Sequence, residues 1–201
     1  KYEFKICCLI EIFLNTHTIT SLMPKNSRRQ IMLDETKIID QLLTNANKSI
    51  NEIAKSCGFS RQKVWRIIKK LEKNNTIWGY TAVIDEEKQN KKIYILLIKR
   101  SSKPLDKDLV EIIIRKDFSK KVAKLGIKIM NSMYTNGAYD WVIYFYANDI
   151  KNAKLFVEEF NKKFEDFIEE TSLLEKILTI DNFGITNPEI NKIRTLFPEI
   201  F

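Results

Sequence analysis

"SINEIAKSCGFSRQKVWRIIKKLEKNN", Ser49 to Asn75, is the stretch whose reading decides the fold. Ser49 and Glu52 stand at capping-box spacing, where a hydroxyl accepts from the backbone three residues on and the carboxylate reaches back. Ile50, Ile53, Ala54 and Cys57 follow at i, i+3, i+4 and i+7, one apolar helix face. Gly58 sits where a left-handed residue ends a helix. Ser60 caps a further helix that runs to about Asn74, and the Asn74-Asn75 pair supplies the next turn. At about 100° per residue, Val64, Ile67, Ile68 and Leu71 share one arc, the side that must be buried. Gln62, Arg66, Lys69 and Lys73 form a stripe almost opposite, with Trp65 beside it and Arg61 beyond. A helix that only had to stay in solution would gain from acids interleaved at i, i+4. Here Glu52 and Glu72 are the only acids in the stretch, and both keep off the stripe.

Two short helices joined by a Gly-containing turn, the second with Gln and Arg near its start and Lys toward its end, are the pattern of a helix-turn-helix. A helix fits a major groove about 12 Å wide. Arg66 is placed to read the paired acceptors of guanine and Gln62 those of adenine, while Lys69 and Lys73 meet phosphate. Trp65 has two readings, apolar contact with a thymine methyl or packing on a neighbouring element. Trp78 reads as packing.

Outward from this core, Asp34 is expected to cap a first helix bearing Ile38, Ile39, Leu42 and Leu43. "TIWGYTAVID", Thr76 to Asp85, reads as a small hairpin or wing. The polar join "DEEKQNKK", Asp85 to Lys92, marks the boundary. The expected domains are an extension over 1–31, a winged helix-turn-helix over 32–90, and a second domain over 91–201. In the second domain "KKIYILLIKR" is a strand and "PLDKDLVEIIIRKDFSKKVAKLG" is helical in period. "IKIMNSMYTN" and "DWVIYFYAN" are strands joined by the turn "TNGAYD". Asp149 caps a long helix with Phe156, Phe160, Phe164 and Phe167 on one side, and "TSLLEKILTID" closes as a strand. The order β-α-β-β-α-β predicts a ferredoxin-like domain, making the chain α+β.

The totals fit. The net charge of +8 favours an anionic partner, although most of the 34 basic residues are lysine, so the local stripe carries more weight. Three cysteines and one histidine, His17, disfavour a disulfide scaffold or a zinc site. The expectations are a reduced, cytoplasmic setting, no metal or cofactor, and no membrane span, since no apolar run approaches the ~20 residues required.

The stretch from "MLDETKIIDQLL" to "GYTAVID" resembles the DNA-binding half of the AsnC/Lrp (leucine-responsive regulatory protein) family of transcription regulators. "NGAYDW" resembles the turn of that family's ligand-sensing RAM domain. Together the resemblance spans about Met32 to Asp181. It implies a homodimer or higher homo-oligomer that binds promoter DNA, with Ser60, Gln62, Lys63 and Arg66 in the reading helix. It also implies an amino-acid or similar effector near Gly137, Tyr139 and Asp140. Gly137 would let the backbone approach the ligand, and Asp140 would hold an α-amino group by a charge-assisted bond. The plainer alternative is a hairpin turn with Tyr139 in the core. Ile67 stands where members commonly have arginine, and Asn75 replaces a glycine. Residues 1–31 lie outside the resemblance; Met32 stands where members often begin, and Arg28 and Arg29 suggest an arm following DNA. The main competing function is a sirohaem decarboxylase of the same architecture, which leans on pocket histidine and arginine; His17 lies outside both domains. A sensor that no longer binds DNA is the other.

Overall fold

The computed structural model describes residues 27–200; His17 and all of the 1–31 extension before Ser27 lie outside the described residues. It divides into two compact units, one ending at Ala82 and the other beginning at Val83, earlier in the chain than the polar join.

The first unit is three helices: α1 (Arg28–Thr44), α2 (Ile50–Cys57) and α3 (Arg61–Lys73). Ile38, Ile53, Ala54 and Val64, one contribution or more from each helix, form its core. Ser27, not Asp34, caps α1: the Ser27 hydroxyl accepts from the Gln30 N–H at 3.2 Å. Nothing in "RRQIMLDE" breaks a helix, so α1 starts about two turns earlier than expected and takes in Arg28 and Arg29. Asp34, inside the helix and buried, accepts from Gln30 Nε2 at 3.0 Å and pairs with Lys63 at 2.6 Å. Thr76–Asp85 forms no hairpin. The segment runs without ladder pairing, because a lone two-stranded ribbon is marginal in water and Gly79 lacks the positive φ of a tight hairpin turn. Trp78 is 93% exposed, which overturns its reading as packing.

The second unit is the expected ferredoxin-like domain: β1 (Lys92–Arg100), α4 (Lys107–Arg115), α5 (Asp117–Ala123), β2 (Lys128–Tyr134), β3 (Trp141–Ala147), α6 (Ile150–Lys163) and β4 (Ile168–Glu175). The sheet is antiparallel in the order β2-β3-β1-β4. Tyr94, Leu96 and Ile98 of β1, with Ile143 and Phe145 of β3, face the helices, where Phe156, Phe160 and Phe164 pack edge and face with Phe118. The single expected helix after β1 is two, because Lys116 turns left-handed at φ 55. That break turns Phe118 into the phenylalanine cluster. The closing strand lies earlier than expected, at 168–175 rather than 171–181. Beyond it the chain makes a two-residue-per-strand ribbon, β5 (Asp181–Asn182) and β6 (Ile185–Thr186), and a 3-10 turn over Ile190–Leu196.

No helix among the described residues of the second unit packs on the sheet's other face. Leu97 lies between Val142 and Ser172, and Ile95 between Tyr144 and Leu174, so apolar side chains run across it in rows. This explains why β1 reads as a continuous apolar run: both of its faces are apolar.

Candidate nucleic-acid interface

The turn between α2 and α3 is built as the sequence dictates. Glu52 N–H donates to the Ser49 hydroxyl at 3.2 Å and the Ser49 N–H to the Glu52 carboxylate at 2.7 Å, completing the capping box. These bonds from Ser49 hold the Glu52 carboxyl below its ordinary range. Gly58 is left-handed at φ 68, and the Phe59 N–H reaches back to the Ala54 carbonyl at 2.9 Å. Ser60 caps α3 by accepting from the Lys63 N–H at 3.2 Å. Its role is thus to start the helix.

On α3, Val64 and Leu71 are buried and Ile67 and Ile68 partly so, while Arg61, Gln62, Trp65, Arg66, Lys69 and Lys73 are all exposed. The structure therefore brings these six together along one exposed side. Ile67 packs against the core, which gives a packing reason for an apolar residue there. Trp65 is 52% exposed and so stands beside the stripe rather than beneath a neighbour. Lys63 is placed differently. Its ammonium pairs with Asp34 and lies 3.9 Å from the centroid of the Phe59 ring, so it ties α3 to α1 and to the turn. Lys70, which pairs with Glu35 at 2.7 Å, does the same.

Lys69 and Glu72 form an ion pair at 2.8 Å, and the Tyr80 hydroxyl donates to the same Glu72 carboxylate at 3.1 Å. The Glu72 carboxyl is held low, first by the bond from Lys69 and then by that from Tyr80. Burial, then the bond to Glu72, pushes the Tyr80 phenol up. Sequence reading missed this link, since no spacing rule connects residue 72 to residue 80.

In the second unit, the β2–β3 turn is fastened to β1. Asp140 N–H donates to the Ile98 carbonyl at 2.9 Å, and its carboxylate accepts from the Arg100 N–H at 2.8 Å. Thr135 donates through its N–H to the Asp140 carbonyl and through its hydroxyl to the Tyr139 carbonyl. One oxygen of Asp140 is thus committed to the fold. A Cβ at Gly137 would meet no described atom within 4 Å, so the backbone, at φ 159, and not a described neighbour is what favours glycine there. Tyr139 is half-buried. Arg100, which the sequence did not single out, stands at this end of the sheet. Its guanidinium donates to the Lys103 carbonyl at 3.3 Å, its buried Nε has no partner, and no carboxylate among the described residues lies within ion-pair distance. Burial pushes the Tyr134 phenol up, and the charge of Arg100 opposes that shift.

Among the described residues no group of His, Cys, Asp and Glu is assembled to hold a metal, and no helix is long and apolar enough to cross a membrane.

Residues 33–77 match the family model for winged helix-turn-helix DNA-binding domains, a match that ends at the start of the segment without ladder pairing. A comparison with curated proteins gives no match. Solved structures give several. An AsnC-family transcriptional regulator from Agrobacterium tumefaciens is 23% identical, with 74% of this chain and 92% of that one covered and a TM-score of 0.54. A Neisseria meningitidis transcriptional regulator in complex with L-Met is 16% identical, covering 77% and 94%, at 0.55. The Mycobacterium tuberculosis leucine response regulatory protein is 14% identical, covering 75% and 94%, at 0.55. At these identities the likeness establishes the fold: a winged helix-turn-helix domain followed by a ferredoxin-like domain, as in AsnC/Lrp-type regulators.

Proposed function

We propose that this protein is a sequence-specific, DNA-binding transcriptional regulator of the AsnC/Lrp type, acting in the cytoplasm as a homodimer or higher homo-oligomer, and not an enzyme. The observation that carries this is the exposed stripe of Gln62, Arg66, Lys69 and Lys73 on a capped helix whose opposite face is buried. Gln62 and Arg66 near the helix start reach base edges, and Lys69 and Lys73 take phosphates. Ser60, Arg61, Lys63 and Trp65 support them by capping, flanking or bracing the same helix.

A second copy fits the helix-free face of the sheet. The rows through Ile95 and Leu97 present apolar surface that in a monomer would stay in water, and a self-complementary patch is what a two-fold dimer uses. The N. meningitidis relative was solved with L-Met. By analogy, an amino acid is the effector class proposed here, bound at Gly137, Tyr139 and Asp140, with Arg100 offering the unpaired cation for its carboxylate.

The test is a selection of bound duplexes from a random library with the full chain, followed by Arg66→Ala and Lys69→Ala measured on the selected site. Arg66→Ala is expected to cost about 1–3 kcal/mol and relax one base position. Lys69→Ala is expected to weaken all sequences alike and reduce the salt slope by about one unit. Unchanged affinity and slope in both would sink the assignment of α3.

A further inference from the structure

The segment that leads from the DNA-reading unit into β1 belongs to no strand or α-helix, yet it is held. Glu86 is 6% exposed, and its carboxylate pairs with Lys176 at 2.7 Å. Lys176 is itself fixed to the sheet, its N–H donating to the Ile93 carbonyl at 2.9 Å. The chain then continues as a strap that returns over the same segment. Glu189 on the strap takes Lys88 at 2.8 Å and also pairs with Lys192, which stands 3.9 Å from Glu87. Between segment and strap lies a cavity of about 240 Å³, walled by Val83, Leu178, Ile185 and Pro188. Carboxylates and ammonium groups therefore alternate across the join, around an apolar floor.

The consequence is a matter of reach. On the other side, the last fastenings to the reading unit are the Ile77 N–H to the Leu71 carbonyl and the Tyr80 hydroxyl to Glu72. With the strap in place, the unfastened chain between the units is only the few residues around Thr81 and Ala82. With it released and the Glu86–Lys176 pair opened, the free chain runs on to Lys91. At about 3.3–3.6 Å per residue the nine residues add roughly 30 Å of contour for each protomer. Two half-sites on one face of a duplex are about 34–36 Å apart, so the added length is comparable to a whole helical turn.

We propose that the strap over Lys176–Lys192 determines operator specificity: by fixing Val83–Lys91 to the sheet domain it keeps the tether short and so restricts the half-site spacing a dimer accepts. This rests on the proposed function. A short tether gives a high effective concentration of the second reading helix at one spacing and a low one elsewhere, whereas a long tether flattens that profile.

The experiment uses the full chain and the selected site, rebuilt as a series of duplexes whose half-site separation steps one base pair at a time across a helical turn. Glu189→Lys sets a third positive charge against Lys88 and Lys192. The pair Lys88→Ala/Lys192→Ala, both on exposed side chains, is the variant safest for folding, and Lys176→Ala added to it removes the partner of Glu86 as well. Binding is read by fluorescence anisotropy and strap closure by hydrogen exchange at residues 83–91. The wild type is expected to lose about tenfold or more in affinity away from its best spacing, and the variants about threefold or less, with faster exchange at 83–91. Faster exchange with an unchanged spacing profile overturns the proposal, as does unchanged exchange. A wild-type chain that selects no duplex overturns the DNA-binding function itself, an outcome separable from the other two.

Discussion

At the scale of single residues, charge does two different jobs on one helix. Arg66 and Lys63 lie on the same α3, and composition treats them alike, yet Arg66 is exposed while Lys63 spends its charge on buried Asp34. The two are separable by experiment. Lys63→Ala leaves the Asp34 carboxylate short of a partner in a mostly buried place, at a cost of about 1–2 kcal/mol, Lys63 itself being partly screened by water. Thermal melting is expected to register that loss, while DNA affinity falls less than for Arg66→Ala; the reverse ranking would make Lys63 a direct contact. Asn75 is the other residue whose chemistry shows through, left-handed at φ 59 where the resemblance expects glycine. Asn tolerates that geometry better than other side chains do.

At the scale of elements, legibility follows how local the determining physics is. The α2 capping box, the Gly58 turn and the Ser60 and Asp149 caps were all readable, since each rests on contacts within five residues. The start of α1 was not, because Asp34 looks like a cap until its partner Lys63, from another helix, is in place. The break between α4 and α5 was also hidden, since Lys116 turns left-handed to serve Phe118, whose partners lie on α6. A non-glycine residue in that conformation is strained, so Lys116→Gly is expected to stabilise the domain by about 0.5–1 kcal/mol in denaturant unfolding. A loss of stability instead would mean the lysine side chain itself matters there. The candidate effector turn was half legible: the motif marked Gly137, Tyr139 and Asp140, but the fastening of Asp140 to β1 and the unpaired Arg100 depend on strand pairing.

At the scale of the whole molecule, two surfaces govern behaviour. Ile95→Asp on the open sheet face is expected to yield a monomer by light scattering with the fold retained, because a charge there remains solvated only if no second copy covers it. An unchanged mass would rule out this face as the interface of the proposed dimer. The strap responds to acid. Lys192, then Lys88, hold the Glu189 carboxyl down at about 2 against its usual 4.5, with Glu87 and Asp85 the other charges nearby. A carboxyl depressed in the folded state stabilises above its unfolded value and loses that contribution as pH falls. The strap's hold is therefore complete above about pH 4.5 and fades between there and about 2. Susceptibility of residues 83–91 to an acid protease should climb across that interval, and a flat response would show that the charges do not secure it.

The shared carboxylate of Glu72 has a mechanical corollary. A phosphate that captures the Lys69 ammonium takes away half of what Glu72 holds, and the other half is the Tyr80 phenol at the head of the connecting chain. Glu72 would then be left with Tyr80 alone, the residue at the head of the chain that leads into the second unit.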